Sequence, residues 1–277
     1  MSRTSDARTT IRGVEMAHRV ARVPGRPWFV WGHGLTSSMA DDDELGLIDW
    51  TRTADVASVL RYDARGHGST GSSSDLAGYH WRSLADDQLV LADHLGIDRY
   101  VAGGASMGCA TALYAALAAP HRIMALVLAI PPTAWETRAA QIEGYELSAR
   151  LVEAGEIDLL VAGAAERPPP DPFVGMPGWR DRFGQMARAT APDRLARVLR
   201  GAGATDLPST DALASISVPT IVLAWTGDAG HPVSTAERLA ELIPAARLHV
   251  ASTLDQLTGW TDLVIEFVDG VADTTSG

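Results

Sequence analysis

The 277 residues are enough for one α/β domain with an insertion and a sizeable buried core, and too few for two independent domains of that size. With 23 basic residues against 34 acidic ones the formal charge is −11, and no basic stripe appears; nucleic acid and anionic membrane are poor partners, and a small neutral or mildly polar molecule is the better one. All 23 basic residues are arginines, which excludes a lysine Schiff base, a pyridoxal phosphate anchor and a phosphate-loop lysine.

The opening residues Met1 to Thr10 are polar and lack the apolar core of a signal peptide, and no apolar run approaches the ~20 residues that span a bilayer, so a cytoplasmic protein is expected. Loose alternation from Ile11 to Arg22 suggests an antiparallel hairpin. Buried strands are predicted at Trp28 to Gly32, Ser58 to Asp63, Tyr100 to Gly103, Ala125 to Ile130, Thr220 to Trp225 and Arg247 to Ala251. Helical segments lie between several of them, notably Leu84 to Leu95 with a Gly96 stop and Thr235 to Leu242 before Pro244. This alternation predicts a mostly parallel, doubly wound α/β sheet covered on both faces.

Residues 131–217 break the rhythm. They hold amphipathic helical stretches, the rigid Pro168-Pro169-Pro170 and several aromatics, but no strand. A helical cap over the carboxyl edge of the sheet is expected here, with 1–130 and 218–277 forming the core domain. The tail from Asp273 to Gly277 reads as frayed.

Gly104-Ala105-Ser106-Met107-Gly108 falls between a predicted strand and a predicted helix, on a turn too sharp for bulky neighbours. Such a turn presents a serine nucleophile. Trp31-Gly32-His33-Gly34-Leu35 also follows a strand, and the N–H of Leu35 together with that of Met107 is a candidate oxyanion hole. A further strand leads into Arg61-Tyr62-Asp63-Ala64-Arg65-Gly66-His67-Gly68. The segment Gly66 to Gly71 satisfies G-x-G-x-x-G, but serines and Gly78 follow rather than an opening helix, so its glycines read as loop residues and not a dinucleotide site.

With Ser106, these segments resemble the α/β-hydrolase family over essentially the whole chain, most weakly in 131–217. The resemblance implies a Ser, acid, His triad in that chain order. It puts the acid after the strand Thr220 to Trp225, where Asp228 stands, and a histidine after the strand Arg247 to Ala251. The stretch Ala251 to Trp260 contains no histidine. Beyond Asp228 only His231 and His249 are left to serve as base. His231 lies on the acid's own loop, whereas His249 alternates within a strand and reads as a core residue.

The remaining polar candidates carry blander readings. His33 and His67 read as loop anchors, and His18, His80, His94 and His121 belong to no motif. No pair has the i, i+4 spacing of a helical zinc site, and no cofactor is called for. Cys109, the single cysteine, reads as a small packing residue, and Glu136 is a secondary alternative to Asp228 as the acid. Trp135 and Trp179, with Trp81 nearby, are expected in or beside the pocket, and the first two are the candidate substrate contacts.

The leading expectation is a hydrolase of a small carboxylic ester or lactone, with catalytic Ser106, Asp228 and His231. Two others remain open: a lyase, cyclase or decarboxylase that uses the oxyanion hole without a full triad, and a hydrolase-like protein that binds a ligand without chemistry.

Overall fold

A computed structural model describes residues 3–274, so Met1, Ser2 and the last three residues of the tail lie outside the described residues. The chain opens with β1 (Arg3–Ile11) and β2 (Val14–Arg22), joined by the two-residue turn Arg12-Gly13. Both turn residues have positive φ, 44° and 80°, the backbone twist that closes a tight hairpin. The hairpin therefore starts eight residues earlier than the hydrophobic pattern suggests. β1 is an edge strand of largely exposed polar residues, so its sequence carries no core signal.

The remaining strands are β3 (Trp28–Gly32), β4 (Ser58–Tyr62), β5 (Tyr100–Ala105), β6 (Ile123–Ala129), β7 (Thr220–Trp225) and β8 (Ala246–Ala251). They form one sheet in the order β1-β2-β4-β3-β5-β6-β7-β8, antiparallel through β2 and β4 and parallel from there on. β3 and β7 fall where the sequence predicts, and the other four differ by one or two residues at their ends.

Successive side chains of each central strand enter opposite layers. Leu126, Leu128 and Val222 pack with Leu91, Leu113 and Leu239 of the helices Trp81–His94, Met107–Ala118 and Val233–Leu242. Ala125, Val127, Ile221 and Leu223 pack on the other face against Val264 and Val268 of the helix Trp260–Thr274. Burial on both faces explains why β5, β6 and β7 read as continuous apolar runs rather than as alternation.

Between β6 and β7 the chain forms helices and loops but no strand, with longer helices at Arg138–Glu153, Ile157–Ala165, Trp179–Ala189 and Pro192–Gly203. Ala149, Val152, Leu160, Ala187, Leu195 and Leu199 give this region an apolar cluster of its own. Buried Arg138 donates to the carbonyl oxygens of Thr205 and Ala202 within this region, and its guanidinium, 4.3 Å from the ring centroid of Trp81, ties the region to the helix Trp81–His94. No helix among the described residues is long and apolar enough to cross a membrane.

Candidate active site

Ser106 stands between the last residue of β5 and the first of the helix Met107–Ala118, with φ 52° and ψ −107°. An L-residue adopts that conformation only where its surroundings enforce it. Here the constraint is close packing. A Cβ on Gly104 would sit 2.4–2.6 Å from the backbone of Gly108, and one on Gly108 would sit 2.0 Å from the carbonyl oxygen of Gly32. Glycine at 104 and 108 lets β3, β5 and the helix meet, and the serine is held at their junction.

Asp228 and His231 lie on the loop that follows β7. His231 Nε2 is 2.8 Å from Ser106 Oγ, and its Nδ1 is 2.8 Å from Asp228 Oδ2. A carboxylate at Nδ1 places the imidazole proton there and leaves Nε2 free to accept the hydroxyl proton of Ser106. The Asp228 carboxylate also accepts from Trp225 Nε1 at 2.9 Å and from the N–H of Gly230 at 2.8 Å. Burial pushes its pKa up, but the hydrogen bond and charge of His231, with those two donors, outweigh it and hold the carboxyl well below the usual range.

The loop is fastened at both ends. Thr133 donates its N–H to the Gly230 carbonyl at 3.1 Å, and Thr226 donates its hydroxyl to Asp171 at 2.6 Å. The segment after β8 is spent differently: Thr253 caps a short helix, Leu254–Thr258, directly behind the strand. His249 sits opposite Leu223 on β8, which is the sheet's outer strand, and is half-buried there rather than enclosed in the core as the sequence suggests.

Leu35 borders the same cavity as Ser106, and its N–H makes no protein hydrogen bond among the described residues. The N–H of Met107, at the first turn of its helix, has no intrahelical partner either. His33 shapes the loop before Leu35, donating Nδ1–H to the Gly34 carbonyl at 2.7 Å and accepting the N–H of Ala64 on Nε2 at 2.9 Å. Burial lowers its pKa to about 4, which keeps the ring neutral. His67 packs 5.1 Å from it, centroid to centroid, and donates to the Arg65 carbonyl.

A cavity of about 370 Å³ opens above Ser106, between the carboxyl ends of the strands and the helices of 131–217. Trp179 lines it, stacked on Phe173 at 3.8 Å between ring centroids. Trp135 does not. Its backbone N–H donates to Asp206 and its indole Nε1 to the carbonyl of Pro208, which turns the ring into the seam between insertion and sheet. Trp81 is buried beneath Arg138, and Glu136 is exposed. Cys109 is buried and donates to the Ala129 carbonyl, and burial raises its pKa.

Asp42, which the sequence reading passed over, also lines the cavity. Burial, together with the neighbouring charges of Asp41 and Asp43, raises its pKa to about 7 against the pull of Arg61 and the hydrogen bond from Trp31 Nε1. A signal for its helix was present, since Ser38 caps it by accepting the N–H of Asp41 three residues on. No group of three or more His, Cys, Asp or Glu suited to a metal ion occurs among the described residues.

Fold and site together define an enzyme of the hydrolase type built on an α/β sheet. The family description "alpha/beta hydrolase fold" matches residues 27–148. A Pseudomonas savastanoi pv. phaseolicola protein named as a carbamate hydrolase is 31% identical over 231 residues, covering 80% of this chain and 83% of that relative. The 3-oxoadipate enol-lactonase 1 of Acinetobacter baylyi is 30% identical over 181 residues, 64% of this chain and 62% of its own. Among solved structures, a hydrolase from Pseudomonas aeruginosa superposes with a TM-score of 0.75 at 25% identity, covering 98% of each chain. The chain belongs to the α/β-hydrolase fold family.

Proposed function

We propose that this protein hydrolyses a small carboxylic ester or lactone through a covalent acyl intermediate on Ser106. The observation that carries the reading is the pair of 2.8 Å contacts that joins Ser106 Oγ, the two ring nitrogens of His231 and Asp228 in one line. A serine hydroxyl is a weak nucleophile until a positioned base takes its proton, and this chain supplies the base and its orienting acid from a single loop.

In the proposed reaction Ser106 Oγ attacks the acyl carbon as its proton passes to His231 Nε2. The N–H groups of Leu35 and Met107 receive the negative charge that develops on the carbonyl oxygen. Collapse of the adduct breaks the bond to the alkoxide, which takes the proton from His231 as it leaves. Water, deprotonated by the same Nε2, then attacks the acyl-serine, and the second collapse returns the proton to Ser106 and releases the carboxylic acid. Asp228 keeps its charge throughout and stabilises the imidazolium formed in each half-reaction.

In this reading residues 131–217 are the cap, with 1–130 and 218–277 the catalytic core, and Trp179 contacts the substrate. The relatives named for carbamate and enol-lactone cleavage support the reading, because both reactions expel a leaving group from an acyl carbon. The test is turnover of short p-nitrophenyl esters and γ-lactones by the purified protein and by Ser106→Ala. Activity that disappears in a folded Ser106→Ala variant is expected. Activity retained by that variant would overturn the reading.

A further inference from the structure

The chain's net charge of −11 is not mirrored in its cavity. Three arginines, Arg167, Arg180 and Arg182, stand in the wall with only two carboxylates, Asp42 and Asp228. Asp228 is paired with His231, and Asp42 is half-buried and accepts a hydrogen bond from Trp31 Nε1. Two of the arginines are also engaged: Arg182 pairs with Glu44 at 3.5 Å and donates to the Asp41 carbonyl, and Arg180 donates to the Ala165 carbonyl at 2.7 Å.

Arg167 is different. Its guanidinium makes no ion pair and no hydrogen bond among the described residues, yet it lies close enough to Tyr145, a phenol of the same cavity wall, for its charge to act there. Its backbone is restrained. Pro168, Pro169 and Pro170 follow it directly, Pro170 with φ −55° and ψ 149°, and proline restricts both its own backbone and that of the residue before it. Arg167 thus stands exposed at the rim of the cavity, on a restrained stretch of backbone, with five donors and no protein acceptor.

We propose that Arg167 is a specificity-determining residue that binds a carboxylate on the substrate, remote from the acyl carbon that Ser106 attacks. The inference rests on the hydrolase reading above and narrows its substrate class to esters or lactones carrying a free carboxylate. A planar guanidinium matches a carboxylate in two parallel hydrogen bonds. The remaining arginine charge adds attraction without competing for that geometry.

The test compares p-nitrophenyl half-esters of four- to six-carbon diacids with p-nitrophenyl esters of monoacids of equal length. Wild-type protein should favour the half-esters in kcat/KM by about tenfold or more, mainly through KM, and the preference should shrink between 50 and 500 mM NaCl. Arg167→Gln should abolish the preference while leaving the neutral esters unchanged, and Arg167→Lys should restore part of it. Calorimetric titration of the half-esters into Ser106→Ala reads binding without turnover. Hydrolysis of both series with no preference, or a preference that survives in Arg167→Gln, overturns this inference and leaves the hydrolase reading intact. Tight Arg167-dependent binding of half-esters without hydrolysis by the wild type would sustain the carboxylate site and overturn the hydrolase reading.

Discussion

Removing the imidazole of His231 breaks two contacts at once, the 2.8 Å approach to Ser106 Oγ and the 2.8 Å hydrogen bond to Asp228. A positioned general base contributes about 10²–10⁴-fold, so His231→Ala should lower kcat for a p-nitrophenyl ester by that factor. The fold should tolerate the change. Asp228 keeps its hydrogen bonds from Trp225 Nε1 and the Gly230 N–H, and the ring lies at the cavity rather than in the core, so a stability loss of about 1 kcal/mol is expected. Initial rates across pH 5–9, with Tm by calorimetry on the same preparations, separate the two effects. The variant should also lose the acid limb that an imidazole base imposes on the rate profile. His249→Ala is the control and should keep kcat near the wild-type value. A His231→Ala protein with kcat within threefold of wild type and an unchanged pH profile would refute the assignment of the base.

Two further outcomes follow from the cavity. Asp42 has its carboxyl raised to about 7 from the usual 3.8, so the folded state binds a proton that the unfolded chain has released, and stability falls as pH rises from about 4 to about 7. Complete desolvation would make that cost about 4 kcal/mol above pH 7, and contact with the cavity reduces it to about 1–2 kcal/mol. Asp42→Asn should therefore raise Tm at pH 8 and flatten its decline between pH 5 and 8; a variant no more stable than wild type at pH 8 would contradict the burial argument. Trp179→Ala should change the ratio of kcat/KM between short and long acyl chains by about tenfold, whereas Trp135→Ala should lower Tm and scale all substrates alike. The reverse pattern would move the substrate contact to the seam.

The central strands were readable because burial on both faces leaves them no polar positions, as in Leu126-Val127-Leu128. Ser106 was readable for a related reason: Gly104 and Gly108 mark a backbone approach that no side chain permits. β1 was not, since an edge strand needs no apolar face. Trp135 shows the limit of inferring pocket residues from aromatic content, because its ring orientation depends on Asp206 and Pro208, some seventy residues away in the chain. Asp42 was hidden for the same reason. Nothing local distinguishes a cavity-facing charge from a solvated one until helices distant in sequence close around it.

The central claim is that Ser106 is a nucleophile activated by His231, and covalent labelling by a fluorophosphonate followed by peptide mass spectrometry tests it most directly. Trypsin, cutting here only at arginine, releases Tyr100 to Arg122, a peptide whose sole serine is Ser106. That peptide should be phosphonylated stoichiometrically in the native protein, with labelling slowed at least a hundredfold in His231→Ala. A folded wild-type protein that leaves this peptide unmodified, or that labels equally fast without His231, would contradict it.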